Sequence, residues 1–245
     1  MLRRKRGLPD GWAGIVEQRV AVWSALDEGE RERLEAASDW LLRHKHWEAA
    51  NGFTLTDEIM VTIAVQAALL VLGLSVDEYR EVGAIIVYPT AMQSRGVYAG
   101  PVPGTLTDGV VPVLGEAHQD RGPVLLAWDE AEHSARNPGS GHNVVFHEFA
   151  HKLDMRDDII DGTPRLERED LDEWVAVCTE AYGALRAGIE RPPLQAYGAT
   201  NPAEFFAVAT EAFFDVPTLL EHHEPKLYGV MRHFYKQHPA ARARS

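Results

Sequence analysis

A chain that puts two histidines and a glutamate on one buried helix has few folds open to it. His147, Glu148 and His151 lie inside Asn143-Val144-Val145-Phe146-His147-Glu148-Phe149-Ala150-His151-Lys152-Leu153-Asp154. Residues four apart on a helix sit above one another, so both imidazoles face one point with Glu148 beside them. Val144, Phe146, Phe149, Ala150 and Leu153 surround that stripe and predict a helix buried on most sides, its polar strip turned to a cleft. Burying such groups without partners is costly. The spacing suits a zinc hydrolase: three protein ligands, an open position for water, and a carboxylate to take the proton as that water attacks a carbonyl. Three fixed positions arise by chance in many chains, and it is the buried context that gives these weight. Asn137-Pro138-Gly139-Ser140-Gly141 reads as the helix start.

The residues leave the third ligand open. A continuation along the same helix would use Asp157, but Asp154 stands where a turn-making glycine is needed, which counts against it. The alternative is a carboxylate from Asn201-Pro202-Ala203-Glu204-Phe205-Phe206-Ala207-Val208-Ala209-Thr210-Glu211-Ala212-Phe213-Phe214, where two glutamates seven apart share nearly one face. Glu204 could instead close a capping box behind Asn201 and Pro202, and Glu211 could pair with a buried base. Either glutamate can reach a metal. Asp154 or Glu211 could also hold a ligand histidine in place by a hydrogen bond. His222-His223 does not form a chelating face, because neighbours on a helix point about 100° apart.

The rest of the chain predicts an α+β fold, mostly helical with a small central sheet. A charged helix is expected from about Asp27 to Ala50, and a buried one from 57 to 72, capped by Thr56 and led by Asp57 and Glu58. The apolar run from Ile59 to Leu74 is too short and too interrupted to cross a membrane. Ala84–Tyr88, Val110–Leu114 and Val124–Trp128 read as strands, the polar stretch 157–172 as a loop, and about Leu171–Ala187 as a helix ended by Arg191-Pro192-Pro193. Residues 1–55 are expected to pack as an N-terminal helical segment on a metallopeptidase domain spanning 56–245.

Composition narrows the function. A net charge of -13 argues against direct nucleic-acid binding, which needs clustered Lys and Arg. The single cysteine, Cys178, excludes an internal disulfide and a cysteine-based zinc site, and suits a reducing, cytoplasmic setting. The basic start Arg3-Arg4-Lys5-Arg6 is followed by no apolar segment, so it does not read as an export signal, and no membrane contact is expected.

His147–Arg156, Ala196-Tyr197, Asn201–Val208 and Glu211–Phe214, together with Leu55–Glu58 and Val87-Tyr88-Pro89 upstream, resemble the Mlc titration factor A (MtfA) family of bacterial zinc metallopeptidases. The resemblance covers most of the chain beyond the first ~30 residues. It implies a cytoplasmic, aminopeptidase-type enzyme with a zincin (gluzincin) core like the catalytic domain of anthrax lethal factor. It also implies a peptide substrate and a protein partner, a sugar-responsive DNA-binding repressor. Carried over residue by residue, it implies zinc on His147, His151 and Glu204, Glu148 as base, and Tyr197 near the metal as a hydrogen-bond donor to the developing oxyanion. The N-terminal stretch and the loop from Arg156 to Arg168 depart from enterobacterial members; a partner patch is expected on that loop or near the C-terminal helix and tail, about Leu219–Tyr235, although Leu227, Val230, Met231 and Phe234 there read as ordinary core at helical spacing.

Overall fold

The computed structural model describes residues 7–90, 93–99, 106–112, 122–155 and 161–244. Its helices are α1 (Trp12–Arg19), α2 (Glu28–His44), α3 (Asp57–Leu70), α4 (Trp128–Arg136), α5 (Val144–Asp154), α6 (Arg168–Arg186), α7 (Pro202–Asp215), α8 (Pro217–His223), α9 (Pro225–Tyr235) and α10 (Pro239–Arg242). Among the described residues five strands accompany them: β1 (His46–Ala49), β2 (Ala84–Tyr88), β3 (Gln93–Ala99), β4 (Leu106–Pro112) and β5 (Val124–Ala127). β1, β2 and β5 form a parallel sheet in the order β1-β2-β5, while β3 and β4 form a separate antiparallel pair. The α+β expectation holds at that level.

Parallel neighbours need a crossover, and α3 supplies it between β1 and β2. Thr56 caps α3 by accepting from the Ile59 amide, and Asp57 and Glu58 sit in its first turn, where the helix dipole favours acids. From Val61 to Leu70 every residue is buried, which makes α3 the pillar of the core. Gln237 donates from its side chain to the Leu69 carbonyl at 2.8 Å, tying the C-terminal end of the chain to the last turn of α3. Gly73 permits the same approach, since a Cβ there would lie 2.3 Å from the Tyr235 carbonyl oxygen. Among the described residues, no helix is long and apolar enough to cross a membrane.

Several sequence expectations shift. The helix expected to reach Ala50 stops at His44, and the next four residues become β1. Lys45 marks the change: its ammonium is drawn inward to the Tyr79 carbonyl at 2.5 Å, and the following residues pair with β2, His46 beside Ala84 through Ala49 beside Val87. The first 55 residues therefore supply an edge strand as well as helices. The strand expected at 110–114 is β4, starting earlier at Leu106, with Val113 and Leu114 outside the described residues. α4, which follows β5 without a break, was not expected from the sequence. The expected C-terminal helix is two helices, parted where Glu224 meets Pro225.

Candidate metal centre

α5 begins one step later than the Asn137–Gly141 signal suggests. Asn143 is its cap: Oδ1 accepts from the amides of Val145 (3.0 Å) and Phe146 (3.1 Å), while Nδ2 donates to Gln66 Oε1 on α3 at 2.9 Å. Gln66 in turn donates to the carbonyls of Thr62 and Ala131, so the cap is locked to α3 and α4. α7 is capped in the same manner, Asn201 Oδ1 accepting from the Glu204 amide at 2.9 Å with Pro202 in the first turn. The two helices pack side by side. Polar residues face one another along part of this contact, and Phe146 meets Phe214 beside them, ring centroids 5.6 Å apart.

Between them His147, His151 and Glu204 converge, and one donor atom from each lies within 4.8 Å of the others. Nε2 of His147 is 3.2 Å from Nε2 of His151, and Glu204 Oε2 lies 3.0 Å from the first and 3.5 Å from the second. Two imidazoles and a carboxylate aimed at one point form a set able to hold a cation. Glu211 does something different: Oε1 takes the opposite nitrogen of the same ring, His147 Nδ1, at 2.7 Å. Its other oxygen meets His142 Nδ1 at 2.8 Å and accepts from the Asn143 amide at 2.6 Å. With Nδ1 donating to Glu211, His147 can offer Nε2 to a metal that displaces the proton there.

The electrostatics agree. Burial alone would lower the His147 pKa, but its hydrogen bonds to Glu204 and Glu211 raise it to about 10. Burial would raise Glu204, yet the two imidazoles hold it at about 2. The same balance keeps buried Glu211 below the usual carboxylate range, against burial and through His142 and His147. The pocket thus favours positive charge. Burial raises the Glu148 pKa, opposed by His147, His151 and Lys152.

A family model described as glucose-regulated metallo-peptidase M90 matches residues 1–236. The chain belongs to the M90 metallopeptidase family. An uncharacterised protein of Synechocystis sp. is 37% identical over 245 aligned positions, spanning 96% of this chain and 86% of its own. Mlc titration factor A of Serratia proteamaculans is 33% identical over 229 positions, 91% of this chain and 86% of the relative. The protein of that name from Pectobacterium atrosepticum is 31% identical over 232, covering 92% and 86%. The resemblance to the Mlc titration factor A family is therefore confirmed across the chain.

In this M90 member Tyr197 sits in a 3-10 turn (Ala196–Ala199) just before α7, half exposed, its ring centroid 6.0 Å from that of His147. Asp157 lies outside the described residues. Asp154 stands apart from the cluster and accepts from the Gly162 amide at 3.0 Å. The His222 and His223 rings meet edge to face at the end of α8 and are not part of the His147, His151 and Glu204 group. Sequence reasoning missed His142 and Asp215. Asp215 Oδ2 accepts from the amides of Gly139 (3.0 Å) and Gly141 (2.6 Å), fixing the loop that leads into α5. Its place four residues after Glu211 was the available clue.

Proposed function

We propose that this chain is a zinc-dependent peptidase in which His147, His151 and Glu204 hold the metal and Glu148 is the general base. The observation that carries the reading is the spacing of the three donor atoms. Ligands of a tetrahedral zinc with bonds of about 2.0–2.1 Å stand roughly 3.3 Å apart, against 3.2, 3.0 and 3.5 Å here. Two imidazoles argue against magnesium or calcium, which take oxygen ligands. Zinc held by these three residues would supply Lewis acidity for a substrate carbonyl and for water. Glu148 accepts the proton of the attacking water and returns it to the leaving amine, a role its burial-raised pKa suits. Tyr197 donates a hydrogen bond to the oxyanion from the exposed side of the cleft. Glu211 keeps His147 in the tautomer that ligates.

The substrate class is a peptide cleaved from its amino end, in the cytoplasm, by a core of the gluzincin type resembling the anthrax lethal factor catalytic domain. Residues 1–55 serve as a helical annex to the catalytic unit at 56–245. A second activity rests on the relatives' name, titration of Mlc: binding of a DNA-binding transcriptional repressor through a protein surface, with no direct contact to nucleic acid. The competing reading is a repressor-sequestering protein whose zinc is regulatory. Glu148 favours the enzyme, because a closed structural site needs no base.

The test is Glu148→Gln, assayed with free and N-blocked peptides alongside wild type at equal zinc content. Turnover of free-ended peptides should drop about 10²–10⁴-fold, with zinc retained. Near-normal turnover removes Glu148 from the mechanism; no turnover by the zinc-loaded wild type removes the peptidase reading. Repressor capture should be unchanged in the variant.

A further inference from the structure

Two of the three donors share α5 while the third belongs to α7, so the metal site is only as well defined as the spacing of these helices. At the end where α5 begins, buried carboxylates of α7 fix that spacing through backbone amides: Glu211 through Asn143, and Asp215 through Gly139 and Gly141. The other end has its own device. Asp154 closes α5, seven residues after His147 and hence on nearly the same face, and is fully buried. Its Oδ2 accepts from the Gly162 amide at 3.0 Å. Gly162 has φ +77°, and a Cβ on it would lie 2.2 Å from the carbonyl oxygen of Pro202 and 2.6 Å from its carbonyl carbon. Both are backbone atoms, so no rotamer change relieves the clash. Pro202 opens α7 two residues before Glu204.

We propose that Asp154 and Gly162 are positioning residues for Glu204. The carboxylate of Asp154 holds the Gly162 backbone against the first turn of α7, and this contact sets where α7 starts relative to the two histidines. Glycine is required because backbone packs directly on backbone, in a left-handed conformation that side chains disfavour. Neither residue touches the donor atoms. Misplacing the first turn of α7 moves the Glu204 carboxylate away from the point both imidazoles face, and groups that hold ligands in place typically alter metal affinity by about 10–100-fold.

This inference rests on the assignment of His147, His151 and Glu204 as ligands, and the experiment separates the two. Zinc affinity is measured by chelator competition, and cobalt absorption spectra are recorded, on the full chain as wild type, Gly162→Ala, Asp154→Ala and Asp154→Asn. Leu34→Ala, in the distant core of α2, is the control for simple loss of stability. Gly162→Ala and Asp154→Ala should bind zinc about 10–100-fold more weakly with an altered cobalt spectrum. Asp154→Asn, which keeps an acceptor oxygen, should recover most of the affinity, and Leu34→Ala should melt earlier yet bind zinc as wild type does. Should Gly162→Ala fail to fold, the Asp154 pair decides. Wild-type affinity and cobalt spectra in the folded Asp154 and Gly162 variants overturn the proposal while leaving the ligand assignment intact. A wild type that binds neither metal overturns both.

Discussion

Helices α3 and α7 are each 14 residues long and almost wholly buried, yet they are built for opposite ends. The buried polar side chains of α3 are neutral, Thr62 and Gln66, whereas α7 buries Glu204, Glu211 and Asp215. A buried carboxylate without partners is costly, and evolution of a core has no need of three on one helix. Each here has a defined debt of hydrogen bonds met: Glu204 by two histidines, Glu211 by His147, His142 and an amide, Asp215 by two amides. α3 is a structural pillar. α7 trades apolar burial for a charged seam against α5, and that seam carries the His147, His151 and Glu204 donors able to hold a cation.

Substitutions in the two helices should therefore fail in different ways. The largest effect on folding is expected from Ile63→Ala in α3, a fully buried position, at about 2–5 kcal/mol by urea denaturation of the metal-free chain. Zinc affinity of the folded fraction should not change; a large change would mean that α3 also governs the site. Next comes Glu211→Gln in α7. It should weaken zinc binding about 10–100-fold through loss of the charged partner of His147, a result read by chelator competition and contradicted by wild-type affinity. The smallest pair sharpens the contrast. Thr56→Ala and Asn201→Ala each remove a helix cap and should each cost about 1 kcal/mol of stability. Only Asn201→Ala should also lower zinc affinity, because the amide it holds belongs to Glu204.

What the sequence made legible follows the same division. The stripe His147-Glu148-His151 and the two glutamates of α7 were visible because helical periodicity is local. The choice between Glu204 and Glu211 was not, since both point the same way from α7; it depends on which nitrogen of His147 each meets across the gap. β1 was hidden because Trp47 alone favours a strand while Glu48 and Ala49 do not, and their conformation is set by pairing with β2, some 38 residues further on. Glu224-Pro225 marked the break between α8 and α9 in plain sight, whereas α4 follows β5 at Trp128 with no capping residue to announce it. Asp154 and Asp215 could be read as acids but not as supports, because their partners are backbone amides of loops that the sequence does not place.

The most direct test of the central claim is metal stoichiometry by elemental analysis, after zinc loading and dialysis, for wild type and Glu204→Ala side by side. The account predicts about one zinc per wild-type chain and almost none retained by Glu204→Ala under the same dialysis. A wild type that holds no zinc, or a Glu204→Ala chain that holds it as well as the wild type, would contradict the account.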